Sequence, residues 1–123
     1  MKKGTYVDGF VIPIKKRDLA AYRKMATWGA KTWKKYGALE YFECVGDDLN
    51  VQKGMGLGFK KLAKLKSDET VIFSFIVYKS KTSRDQINKK VMSDPSMKDF
   101  DEKAMPFNMK RFANGGFKVL VKN

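Results

Sequence analysis

The run Thr70 to Tyr78 carries an apolar side chain at nearly every position: Val71, Ile72, Phe73, Phe75, Ile76 and Val77. A strand turns successive side chains to opposite faces. A strand that is apolar on both faces has to be covered on both, and this requirement narrows the folds open to the chain. Three further segments read as strands. They are Thr5 to Ile14, closed by Pro13, then Ala38 to Gly46, and finally Arg111 to Val121, where Phe117, Val119 and Val121 alternate. Two segments read as helices. Lys16 to Tyr36 sets Leu19, Tyr22, Ala26, Gly29 and Trp33 at three- and four-residue spacing, with Gly37 as the stop. Ser80 to Met92 carries Ile87 and Val91 on its apolar face, a capping box in Ser83-Arg84-Asp85-Gln86, and a stop at Asp94-Pro95.

The order is β-α-β, a loop or edge segment, then β-α-β. This is the α+β, ferredoxin-like split βαβ pattern: a four-stranded antiparallel sheet with two helices on one face, here a single domain over residues 1–123. Phe59 to Lys66 fits either a helical turn or a Lys-rich edge strand. Ser96 to Lys110 reads as a polar connector carrying Met97, Phe100, Met105, Phe107 and Met109. Two helices cover one sheet face only. Alternation assigns Tyr6, Phe10, Ile12, Phe42 and Leu120 to one face, and Val7, Val11, Leu39, Tyr41 and Val119 to the other. The uncovered face calls for a two-fold partner packing sheet against sheet, so a homodimer is expected. Trp28 lies off the helix stripe and is expected either at a subunit contact or against a loop.

A chain of 123 residues buries roughly 65% of its unfolded surface, enough for one modest core. With 43% hydrophobic and 32% charged residues it falls in the globular range rather than the disordered one. Lys and Arg number 26 against 13 Asp and Glu, a net charge of +13, but only four of the 26 are Arg. A Lys-dominated surface suits solubility or diffuse attraction to polyanions better than the forked contacts of base readout. The sheet lacks the aromatic platform of RNA-recognition modules, so nonspecific nucleic-acid binding is the lesser alternative. No histidine is present, which removes Ser-His and Cys-His nucleophile pairs and His-ligated zinc. The single Cys44 forms no internal disulfide and is expected as a reduced, partly buried thiol. Asp47-Asp48 is no oxygen cage for a metal, and Gly54-Met55-Gly56-Leu57-Gly58 lacks the features of a phosphate cradle. Neither a metal nor a cofactor is therefore expected. Met1-Lys2-Lys3 is followed by no apolar h-region, and no run is long enough to span a membrane, so a cytoplasmic protein is expected.

The stretch Leu39-Glu40-Tyr41-Phe42-Glu43-Cys44-Val45 places ionisable groups on both faces of one strand. Glu40 and Cys44 lie with Phe42, and Glu43 lies with Leu39, Tyr41 and Val45. Carboxylates among aromatics cost free energy out of water, so the stretch points to a polar pocket or a partner surface.

In order along the chain, Tyr6-Val7-Asp8-Gly9-Phe10-Val11-Ile12-Pro13, Ala21-Tyr22-Arg23-Lys24-Met25, Gly37 to Cys44, Gly46-Asp47-Asp48, Asp68-Glu69-Thr70-Val71, Val91-Met92 with Asp94-Pro95, and Met105-Pro106-Phe107 followed by Lys110-Arg111 and Gly115-Gly116-Phe117 resemble the YbaA-like bacterial proteins of unknown function. The chain departs from that pattern at Val45, where an aromatic is usual, and in the loop Leu49 to Gly58, where Lys53 stands in place of a Pro-Asp-Gly turn. The resemblance implies a dimeric α+β barrel, in which two ferredoxin-like subunits pair their open sheet faces. Relatives in that wider group hold small ligands between sheet and helices, and some are cofactor-free monooxygenases, isomerases or dehydratases; a non-catalytic ligand-binding or stress-related module is the alternative. On that footing the candidate catalytic residues are Glu40 or Asp8 as general base and Arg111 as holder of a carboxylate or enolate. Tyr6 or Tyr41 would donate to a developing oxyanion, with Cys44 beside the substrate. The structural alternative pairs Asp8 or Glu40 with Lys110 or Arg111 to fix strand register or the dimer.

Overall fold

The structure is a computed structural model, and it describes residues 4–99 and 105–123. Its elements are β1 (Tyr6–Lys15), α1 (Leu19–Lys35), β2 (Glu40–Val45), the four-residue α2 (Phe59–Leu62), β3 (Glu69–Tyr78), α3 (Lys81–Met92) and β4 (Ala113–Lys118). Short 3-10 turns at Lys16–Asp18, Pro95–Asp99 and Met109–Arg111 join them. The strands form one sheet in the order β2-β3-β1-β4. Every neighbouring pair is antiparallel. This is the ferredoxin-like α+β arrangement expected from the order of elements. Among the described residues, no helix is long and apolar enough to cross a membrane.

Register decides which residues share a face. Ile12 lies opposite Ile72, Phe10 opposite Ser74 and Tyr6 opposite Tyr78, and this row lies under the helices. Ile12, Ile14, Ile72, Ile76 and Tyr78 are buried there with Tyr22 and Ala26 of α1 and with Ile87 and Val91 of α3. The other row pairs Val7 with Val77 and Val11 with Phe73. Phe42 lies opposite Phe75, and Cys44 opposite Phe73. Phe42 therefore belongs with Val7 and Val11, and Tyr41, opposite Ile76, belongs with the helix-covered row. This reverses the sequence grouping, in which Phe42 went with Tyr6 and Tyr41 with Val7. Alternation fixes parity within a strand, whereas hydrogen-bond register fixes it between strands.

The row facing away from α1 and α3 is apolar: at one end Val71 is buried and Phe59 of α2 lies 6.4 Å from Phe73, while the middle of the face stays open. Phe42 and Phe75 stack at 4.9 Å, with Phe73 5.9 Å from Phe75. Phe42 and Phe73 each stay 46% exposed and Phe117 61% exposed. Beyond β4, Leu120 and Val121 are almost fully exposed. The last strand thus ends at Lys118 rather than at Val121, because its partner β1 begins at Tyr6, opposite Lys118.

One local expectation is corrected, and two open alternatives are decided. The N-cap of α3 is Ser80, whose hydroxyl accepts from the Ser83 backbone N–H at 3.0 Å, so the helix starts ahead of the expected capping box. Within Phe59 to Lys66 the structure has the short helix Phe59–Leu62 and no edge strand. Trp28 is half-buried and not a free surface ring. Its indole donates to the Ser96 hydroxyl at 2.7 Å and meets Trp33 edge-on, which is the loop-packing alternative. Phe100 of the expected connector lies outside the described residues.

Candidate functional site

Three separate clusters of buried and half-buried polar side chains lie on the sheet. In the first, Asp8 on β1 is buried and forms an ion pair with Arg84 of α3 at 3.2 Å. The guanidinium also donates to the Tyr6 hydroxyl at 3.1 Å and lies 5.0 Å from the centre of that ring. It passes over β4 at Gly116, where any side chain would overlap both Arg84 and Tyr6. Asp8 and Tyr6 are thus brought together, through a residue that had not been singled out.

In the second, Arg111 makes a forked contact to Glu69, at 2.6 and 3.0 Å, and its Nη2 also donates to the carbonyls of Ala63 and Lys64. The guanidinium is thereby occupied by protein partners. The pairing of Asp8 or Glu40 with Arg111 that the structural alternative named is not the one formed: Arg111 pairs with Glu69 and Asp8 with Arg84. Arg111, followed by the bond from the Lys66 backbone, pulls the Glu69 carboxyl down from 4.5 to about 2. A lowered folded-state value means that the contribution to stability is complete above about pH 4.5 and is lost as pH falls toward 2. Arg111→Ala is expected to cost about 2 kcal/mol at neutral pH, a figure discounted because Arg111 is a quarter exposed. Urea titrations of both proteins check this, and the gap between them should close as pH is lowered through that window.

The third cluster lies under α1 at the β2 edge. Tyr41 and Glu43 sit two residues apart on the helix-facing side of β2. The Glu43 carboxylate accepts one hydrogen bond from the Tyr22 hydroxyl and another from the Tyr41 hydroxyl, each at 2.7 Å. Burial, and then Glu43 itself, push both phenols well above their ordinary range, so both stay neutral donors. Gly29 of α1 leaves the space that the Tyr41 hydroxyl fills. Beside this trio opens a cleft of about 480 Å³, walled by Leu19, Ala26, Ala30, Val45 and Ile72, with Arg23 and Thr27 on the α1 side. An apolar cleft with a few convergent polar groups is the usual form of a small-molecule site.

Of the residues expected from the sequence, only Tyr41 lines this cleft. Glu40 and Cys44 share the open sheet face with Phe42, both exposed, and do not meet Tyr6, Asp8 or Arg111. The sequence pattern grouped Glu43 with Tyr41 and Val45 without assigning it a site, and Tyr22 read as core. The signal that joins them is Tyr22 on the helix stripe above a strand face carrying both a Tyr and a Glu. A second hollow of about 560 Å³ is lined by Lys15, Lys66, Glu69, Asn108 and Arg111 among others, and its charged pair is the Glu69–Arg111 fork. Among the described residues, no group of three His, Cys, Asp or Glu side chains is placed to hold a metal ion.

Residues 5–109 match the family model described as "Protein of unknown function (DUF1428)". The chain is 44% identical over 116 residues to the "Uncharacterized protein YbaA" of Escherichia coli strain K12, covering 94% of this chain and 97% of that one. The YbaA protein of Shigella flexneri matches to the same extent. Among solved structures, a dimeric ferredoxin-like protein from an uncultured marine organism superposes with a TM-score of 0.61 over 97% of this chain and 99% of that chain, at 13% identity. A likeness at that identity concerns the fold.

Proposed function

This chain belongs to the DUF1428 family, and from that membership and the geometry above we propose that it is a homodimer that binds a small organic molecule in the cleft between α1 and β2 of each protomer. The observation that carries the reading is the cleft itself: apolar walls of suitable volume, with one carboxylate fixed by two neutral donors at its edge. The bare aromatic sheet face supports a second copy as its cover, and the similar fold of a protein described as dimeric agrees with that. In such a dimer Glu40 and Cys44 lie in the subunit contact, while each cleft stays on the helix side.

Two measurements test the reading. Light scattering at micromolar concentration is expected to give twice 14.1 kDa, and the mass of one chain would overturn the dimer. A thermal-shift panel of small aromatic and aliphatic compounds, including quinols, lactones and enols, is expected to yield ligands that stabilise the wild type. Ala30→Phe, which narrows the cleft, should abolish those shifts. Shifts that survive Ala30→Phe would place binding elsewhere, and a panel without a single stabilising compound would remove the ligand role. Assaying the same quinols, lactones and enols for turnover separates catalysis from binding.

A further inference from the structure

The cleft reading leaves the chemistry of its occupant open. Resting on that reading, we propose that the α1–β2 cleft takes a small organic amine in its protonated form, with Glu43 as the counter-ion. The carboxylate of Glu43 receives both of its hydrogen bonds from neutral phenols, Tyr22 and Tyr41. None of the ion pairs among the described residues involves Glu43. An ionised carboxylate offers about four acceptor positions, so about two remain for a guest. A negative charge held partly out of water beside apolar walls, here Ala26 and Val45, costs free energy that a cation recovers. Arg23 also lines the cleft but forms no ion pair with Glu43, and it does not supply that cation. A neutral alcohol of the same shape would gain the hydrogen bond without the charge term, and a carboxylate ligand would be repelled. The net charge of +13 opposes cations at long range. At about 0.15 M salt the screening length is about 8 Å, so that distant charge is largely screened and the charged groups a guest meets are Glu43 and, on the α1 side, Arg23.

The test is isothermal titration of benzylamine, benzyl alcohol and benzoate into the wild type, Glu43→Gln and Ala30→Phe at physiological salt. Glu43→Gln keeps one amide oxygen to accept from one tyrosine, its NH2 can donate to the other hydroxyl, and circular dichroism verifies that both variants fold. Benzylamine is expected to bind the wild type at least about tenfold more tightly than benzyl alcohol, a preference that Glu43→Gln erases. Ala30→Phe should weaken all binding while leaving Glu43 in place; if Glu43→Gln unfolds, the wild-type preference for the amine over the alcohol, lost in Ala30→Phe, decides the matter. Equal affinity for amine and alcohol, or an amine preference intact in Glu43→Gln, overturns the proposal. If the alcohol or benzoate binds in an Ala30-dependent way and the amine does not, the amine assignment fails and the cleft reading stands. If none of the three binds at millimolar concentration, the amine assignment fails, and the wider compound panel then decides on the cleft.

Discussion

Phe73→Glu is expected to leave each protomer folded and to separate the proposed dimer into single chains. Phe73 occupies the middle of the open sheet face, opposite Val11 on one side and Cys44 on the other, with the Phe75 and Phe59 rings beside it. Because the ring is 46% exposed within one chain, a carboxylate there still reaches water in the isolated protomer. In a two-fold dimer the same position is desolvated twice, once from each copy. At about 3 kcal/mol for each unpaired carboxylate taken from water, association should weaken roughly ten-thousand-fold. Light scattering should then report a single chain while the far-ultraviolet circular dichroism stays that of the wild type. A variant that remains dimeric would show that copies meet through another surface.

The second large effect comes from a single methyl group. Gly29→Ala would ordinarily stabilise a helix, by about 1 kcal/mol at most. At this position the new methyl overlaps the Tyr41 hydroxyl and comes within 3.2 Å of the ring carbon that bears it. Tyr41 has little room to retreat, since its ring lies 6.1 Å from Trp33 and its hydroxyl is tied to Glu43. Forced repacking together with the weakened bond to a charged acceptor outweighs the helical gain, for a net loss of about 3 kcal/mol. Chemical denaturation measures this directly; equal or greater stability would mean that Tyr41 moves freely. Any amine affinity should fall in the same variant, because Glu43 loses one of its two fixed donors.

The fold could be read from the chain because its signals are local. The apolar periods of β3 and α1, the stop at Gly37 with its positive φ of 112°, and the Asp94-Pro95 break each act over a few residues. The face assignment inside β2 was equally legible, with Glu43 opposite in sense to Glu40 and Cys44. What could not be read was the register between strands, which moved Phe42 and Tyr41 to the faces opposite those expected. Long-range polar partners were also out of reach. Arg84 pairs with Asp8 across 76 positions of chain, as Arg111 does with Glu69 across 42. Local patterning carries no information about either choice. The Tyr22–Glu43 contact likewise exists only because α1 lies across the edge of the sheet.

The four-stranded sheet also works as a partition. On one side lie Glu43, Tyr22 and Tyr41; on the other, a greasy expanse of phenylalanines. The pleat directs alternate residues of the same strand, Phe42 and Glu43, into these two compartments. Under the proposed roles, mutation can retune what occupies one compartment without disturbing the other, so guest preference and self-association would be free to diverge separately among descendants of this architecture.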